Sequence, residues 1–393
     1  MKKAYFDHIA ATPLHPEALR AMLPYLGEIY GNPQSLHTAG QQALAAVDAA
    51  REEVAGLIGA ESEEIHFTSS GSEANNFAVK GLAQAYQAKG KHIVVSAIEH
   101  QSILNPVKTL EKLGFSSTPV PVDRTGLVDP ADVEKALTKD TILVSVMTAN
   151  SEVGTVEPVA EIARICRSRG ILFHTDAVAA AGSLPINVRD LGLDALSLAG
   201  DQFYGPKGSG ALYVKRGTRI LPLIEGGIQE NGRRAGTENV AAIVGLGKAA
   251  AIARAEMADR AARLTPLRDL LIEELPRQVD HVVLTGHPTG RLPHHASFCV
   301  EFVEGEAMLL MLDMQGISVS SGSACTSKAL KASHVLLAMG MDHALAQGSL
   351  VFSFIDGSGR EDVDHLLASF PPVVDRLRKM SPLYTEYLKE TKR

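Results

Sequence analysis

Several features are scarce in this chain, and each absence narrows its class. No run of about 18 consecutive apolar residues occurs, so no membrane-spanning helix is expected. Positive charge is not in excess. Thirty-eight Lys and Arg against 45 Asp and Glu leave a formal net charge of −7, which argues against a nucleic-acid surface and against an anionic membrane. Cysteine is rare: Cys166, Cys299 and Cys325 lie far apart. That spacing is neither a disulfide framework nor a zinc pattern; it suits a reducing cytoplasm, and no metal site is expected. The first residues, MKKAYFDHIAATP, read as a strand and a turn without a hydrophobic signal region. Internal repeats and low-complexity tracts are absent.

What remains is an ordinary globular composition. With 393 residues, 45% apolar and 21% charged, the chain can build one large domain and one smaller domain, each with its own core. Strands are read at 4–8, 64–68, 92–96, 142–148, 171–175, 195–198 and 211–214. Helices are read at 15–25, 39–58, 72–88, 101–113, 130–137 and 158–169, from apolar residues at helical spacing. Strand and helix in alternation predict an α/β fold whose large domain is a three-layer α/β/α sandwich around a mostly parallel sheet. A long helical region, 237–275, leads into a smaller α+β domain. The expected division is 15–260 for the large domain, and 1–14 with 261–393 for the small one.

The stretch 196–214 organises the rest. An apolar run ends at Leu198, the chain turns through Gly205, Pro206 and Gly208, and a second apolar run, ALYV, leaves. Such a loop sits at the end of a sheet, where α/β proteins bind ligands. Taken alone, Gly-Pro-Lys-Gly reads as a turn. The run Thr68-Ser69-Ser70-Gly71-Ser72-Glu73-Ala74-Asn75-Asn76 joins a strand to a helix. It serves equally as an N-cap or as a phosphate cradle made by backbone N–H groups. Asp176 closes a strand, as a helix cap or as a partner for a protonated ring nitrogen.

Together these motifs resemble the cysteine desulfurases, fold-type I pyridoxal-phosphate enzymes of the class V aminotransferase superfamily. Tyr204-Gly205-Pro206-Lys207-Gly208 matches the second half of their Ser-x-His-Lys-x-Tyr-Gly-Pro-Lys-Gly segment. The resemblance implies that Gly71 and Ser72 hold the cofactor phosphate. It implies that His100 stacks on the ring and moves protons, that Asn150 contacts the phenolic oxygen, and that Asp176 holds the ring nitrogen. The loop 226–239, GGIQENGRRAGTEN, resembles one whose threonine, here Thr237, reaches the phosphate of a neighbouring subunit, which implies a homodimer. Ser320-Ser321-Gly322-Ser323-Ala324-Cys325 resembles the mobile loop whose cysteine becomes a persulfide.

The departures gather in one pocket. Gln202 stands where the family has the Schiff-base lysine, so pyridoxal phosphate, if bound, is not expected to be held covalently. Ala199 and Asp201 replace the serine and histidine beside it. Ala179 replaces a glutamine, and Val351 replaces the arginine that pairs with the substrate carboxylate. Ile355-Asp356 stands where the family tends to have Gly-Arg.

The expectation is therefore a divergent desulfurase-like protein of sulfur transfer or iron–sulfur metabolism. Cys325 would be its persulfide carrier, and a sulfur acceptor or iron–sulfur scaffold its partner. Two alternatives stay open. One is a pyridoxal-phosphate enzyme working without the lysine, with His100 or Asp201 as base. The other is a non-enzymatic partner subunit that uses the old cleft as an interface.

Overall fold

The computed structural model describes residues 3–321 and 332–391. In chain order its strands are β1 (Ala4–Tyr5), β2 (Ile65–Thr68), β3 (His92–Ser96), β4 (Ser116–Val120), β5 (Thr141–Ser145), β6 (Leu172–Asp176), β7 (Ala195–Ala199), β8 (Gly210–Val214), β9 (Val282–Leu284), β10 (His295–Val300), β11 (Ile317–Ser318) and β12 (Ser349–Ser353). Seven of them form one sheet in the order β2-β8-β7-β6-β5-β3-β4. Among these, β8 runs antiparallel to both its neighbours, and the remaining pairs are parallel.

Both faces of this sheet are covered, as the alternation of side chains along each strand requires. Val94, Val144, Phe173 and Leu196 belong to one core, with the helix Thr38–Ile58 and the first half of a long helix, Val240–Gln278. Ile93, Val95, Leu143 and Leu212 belong to a second, under the helices Gly71–Tyr86 and Gln101–Glu111. The fold is thus a three-layer α/β/α sandwich with a smaller α+β unit attached. Helix Thr38–Ile58 shows the local logic. His37 Nδ1 accepts from the Gly40 N–H at 3.3 Å to start it, and Gly59, at φ +70°, stops it.

The long helix serves two cores. Leu246, Ala249, Ala250 and Ala253 pack in the large one; Leu264, Leu271 and Leu275 pack with β10, β12 and the helix Arg360–Met380. The change of core falls between Met257 and Leu264. The N-terminal arm crosses over. β1 pairs in parallel with β11, and the Ser353 N–H donates to the Phe6 carbonyl at 2.7 Å.

Some local expectations change. The helix read at 15–25 is two pieces, Pro16–Met22 and Pro24–Gly27, because Pro24 has no N–H and restarts the turn. Strand β4 and the helices His343–Gln347 and Pro382–Thr391 were not read from the sequence at all.

Candidate functional site

Strands β2, β3, β5, β6 and β7 all point the same way, and the motif residues follow their carboxyl ends. Such ends are where open α/β sheets hold ligands. Strand β2 runs into Ser70, whose hydroxyl accepts from the Glu73 N–H at 3.1 Å and caps the helix Gly71–Tyr86. The first-turn N–H groups of Gly71 and Ser72 have no acceptor within the helix, which leaves an anion cradle. Gly71 is forced by crowding: a Cβ there would meet Val178 Cγ2 at 2.5 Å and Ala199 Cβ at 3.4 Å. Glu73 ties the cradle to a distant loop. Its carboxylate accepts from the Ser69 N–H at 2.8 Å and from Arg234 Nε at 2.9 Å.

Ser72 and His100 line one open groove, together with Asn76, Lys80 and Ser102. Asp176 lies behind it, 5% exposed. Its Oδ1 accepts from the Val178 N–H at 2.9 Å and its Oδ2 from Asn75 Nδ2 at 2.6 Å. Burial pushes the Asp176 carboxyl above its ordinary range, while the Val178 N–H, His100 and Asn75 pull it down. A carboxyl so placed could also accept from a cationic ring N–H.

Asn150 is 1% exposed and is committed to the loop around it. Its Oδ1 accepts from the N–H groups of Glu152 (2.8 Å) and Val153 (3.0 Å), and its Nδ2 donates to the Ile98 carbonyl at 3.1 Å. It thereby braces the segment that carries His100. Glu99, beside His100, is fully buried. Its Oε1 accepts from Ser96 Oγ (2.6 Å) and the Met147 N–H (2.8 Å), and its Oε2 has no hydrogen-bond partner among the described residues. Burial holds this acid well above the ordinary carboxylate range, and Asp176 and Glu157 raise it further.

Two expected residues lie in other cavities. Gln202 lines a narrow space with His8, Thr12, Arg260 and His294, and its Nε2 donates to the Ile9 carbonyl at 3.2 Å. The same segment grips the arm through Thr12, whose N–H and Oγ1 both donate to the Asp201 carbonyl at 2.8 Å. Tyr204 holds φ +66°, a conformation costly for an aromatic residue. It is pinned by its N–H to Thr12 Oγ1 (2.8 Å) and by the Arg260 guanidinium 4.5 Å above its ring. Thr237 is exposed on a third pocket, with Ser69, Gly210, Glu230 and Arg234. Val351 is 3% exposed inside β12, opposite Ser297. Cys325 lies outside the described residues.

The structure therefore brings Gly71, Ser72, His100 and Asp176 together and seats Asn150 beneath them. Sequence reasoning missed Asn75, Ser102 and Glu99 as members of the site. Asn75 lies four residues after Gly71 and Ser102 two after His100, but only the packing of two helices joins them. Among the described residues, no cluster of three or more His, Cys, Asp or Glu is placed to hold a metal ion. No described helix is long and apolar enough to cross a membrane.

The aminotransferase class-V family matches residues 4–366. The cysteine desulfurase IscS of Dictyoglomus turgidum is 49% identical over 386 residues, covering 98% of each chain. The cysteine desulfurase IscS of Methanosarcina thermophila is 48% identical, covering 97% of this chain and 94% of its own. A solved NifS-like protein superposes with a TM-score of 0.90 at 35% identity, over 96% of this chain and all of that one. The chain thus belongs to the class V aminotransferase family, among its cysteine desulfurases.

Proposed function

We propose that this protein works in sulfur transfer as a desulfurase-like homodimer that carries sulfur on Cys325, with ordinary desulfuration of cysteine absent or feeble. The observation that carries this reading is the amide of Gln202. No amine stands at that position, and the amide is bonded to the Ile9 carbonyl. Carboxamides form no covalent link with an aldehyde under these conditions and do not shuttle an α-proton. Val351 adds to the loss, since an isopropyl group offers no fork to a carboxylate.

The remaining residues fit pyridoxal phosphate held without a covalent bond. The amides of Gly71 and Ser72 face where its phosphate would sit, Asp176 would take the ring nitrogen, and His100 borders the same groove. When bound, this group supplies an electron sink for a substrate carbanion. The chain's own part is to hold its phosphate and ring nitrogen and to place one imidazole beside them.

Sulfur loading needs no internal redox change. The Cys325 thiolate attacks the outer sulfur of a donor persulfide, the donor's S–S bond breaks, its thiolate leaves, and a new S–S bond forms on Cys325. Delivery to an acceptor thiol, such as that of a scaffold protein, repeats the exchange. A second copy of the chain is supported by Tyr30, Leu36 and Ile228, which are 84%, 93% and 77% exposed. It is supported too by Thr237, which lines a pocket apart from the Ser72–His100 groove of its own chain.

The test is to incubate the protein with an active cysteine desulfurase and cysteine, then map persulfides by mass spectrometry. Labelling at Cys325 with no alanine formed by the protein alone is the expected result. Alanine production by the protein alone at a desulfurase rate overturns the reading. A Cys325 that stays unlabelled leaves a partner subunit without sulfur chemistry.

A further inference from the structure

Asn75 and Ser102 have no part in the functional reading so far, yet they sit between its two titratable groups. Asn75 is 1% exposed and Ser102 is 8% exposed. The Asn75 amide nitrogen can only donate. It donates to Asp176 Oδ2 at 2.6 Å and to Ser102 Oγ at 2.8 Å. Ser102 Oγ therefore accepts from Asn75, and its own hydrogen is free for His100 Nδ1, 2.7 Å away. The Ser102 backbone N–H also points at that nitrogen, at 3.1 Å. Two donors converge on one ring nitrogen, and a proton on Nδ1 would face both.

We infer that Asn75 and Ser102 are positioning residues that hold His100 as its Nε2–H tautomer and fix it relative to Asp176. The Ser102 backbone N–H fixes Nδ1 as an acceptor, and the Ser102 hydroxyl, already accepting from Asn75, keeps its hydrogen for the same nitrogen. A carboxylate on β6 and an imidazole at the start of the helix Gln101–Glu111 are thereby locked in one frame, although 76 residues separate them in the chain. The consequence is chemical. His100 presents an N–H, not a lone pair, at Nε2, so whatever binds in the groove meets a hydrogen-bond donor. This inference rests on His100 belonging to the site, as proposed above. It does not depend on Cys325, so persulfide mapping and the test below succeed or fail separately.

Nitrogen-15 NMR of histidine-labelled protein without cofactor reads the tautomer directly, with His100 assigned by its loss in His100→Gln. At a pH where the ring is neutral, the expected spectrum shows an unprotonated Nδ1 and a protonated Nε2. Ser102→Ala removes one ordinary hydrogen bond to Nδ1 and should lower the tautomer ratio about fivefold. Asn75→Ala removes the donor that orients the serine hydroxyl and should lower the ratio by less than Ser102→Ala does. Ser102→Thr keeps the hydroxyl and should restore the parent spectrum. A protonated Nδ1 in the parent protein, or a ratio unmoved by Ser102→Ala, overturns the inference. Should Asn75→Ala fail to fold, the two Ser102 variants decide the matter alone.

Discussion

Gln202→Lys asks whether one missing amine is the whole difference between this protein and its relatives. The side chain is half-buried and contributes one hydrogen bond, from Nε2 to the Ile9 carbonyl at 3.2 Å. Losing it costs about 1 kcal/mol, so the variant should fold. Partial burial disfavours a charged ammonium and favours the neutral amine, which is the nucleophilic form. Mixed with pyridoxal phosphate and reduced with borohydride, the variant should gain one covalent label at position 202, and the parent protein none. Cysteine turnover should stay weak even so. Val351 leaves the substrate carboxylate without a charge-assisted partner, which is worth about 1.5–3 kcal/mol, or roughly 10- to 160-fold in kcat/KM. The variant should therefore treat cysteine and its neutral amide, cysteinamide, alike within a few-fold. Mass spectrometry and alanine release provide the assays. A reducible label on the parent protein, or cysteine turnover that Gln202→Lys does not raise, would refute the reasoning.

Other outcomes follow from the same geometry. Asp176→Ala removes the buried carboxyl proposed to take the ring nitrogen and should weaken pyridoxal phosphate binding at least about tenfold, read by fluorescence titration. Cys166 and Cys299 are buried, and burial pushes each thiol up to about 12, so alkylation of the native protein near neutral pH should spare both and mark Cys325. Stability should fall as pH rises from about 6.5 to 8. Burial raises Glu152 to about 7 and Glu157 to about 8, so across that window the folded chain binds protons that the unfolded chain has already released. The buried histidines, lowered to about 4 in His8 and His294, oppose this trend only below their unfolded value near 6.5. Glu157→Gln keeps an oxygen for the Val128 N–H, bonded at 2.9 Å, and should flatten the slope by up to about 1.4 kcal/mol per pH unit; an unchanged slope in thermal melts refutes the assignment.

The layered fold was legible because its strands are short apolar runs and its helices carry apolar residues at helical spacing. β4 was not, for a physical reason. Its residues, Ser-Ser-Thr-Pro-Val, lie at the sheet edge, where exposure permits polar side chains and a proline. The antiparallel placement of β8 was hidden too, because a buried strand reads the same in either direction. In the candidate site, motif resemblance pointed to Gly71, Ser72, His100 and Asp176, which the structure sets close together. It could not find the Asn75–Ser102 link, which spans 27 positions and exists only because two helices pack together. Nor could it show which way the Gln202 amide turns, since that depends on an arm nearly 200 residues earlier.

The departures from the family are absorbed by the packing around them, and this bears on what they mean. The Gln202 amide is spent on the Ile9 carbonyl, and Val351 is 3% exposed between Ser297 and the backbone of Ser320. Asp356, where the family tends to an arginine, pairs with Arg260 Nε at 2.6 Å and Arg263 Nη2 at 2.5 Å, and its N–H donates to Tyr204 Oη at 3.1 Å. Gln202 is joined to the N-terminal arm, and Asp356 to the long helix and to Tyr204. A fold arranged in this way has little need of a covalent cofactor to hold its arm in place. The cofactor-free protein should therefore melt as a single cooperative unit, and pyridoxal phosphate should raise its Tm only as far as mass action allows for a non-covalent ligand. A cofactor-free protein whose N-terminal arm exchanges its amide hydrogens freely, and is protected only on addition of pyridoxal phosphate, would show that the Gln202–Ile9 contact does not replace what the lysine did.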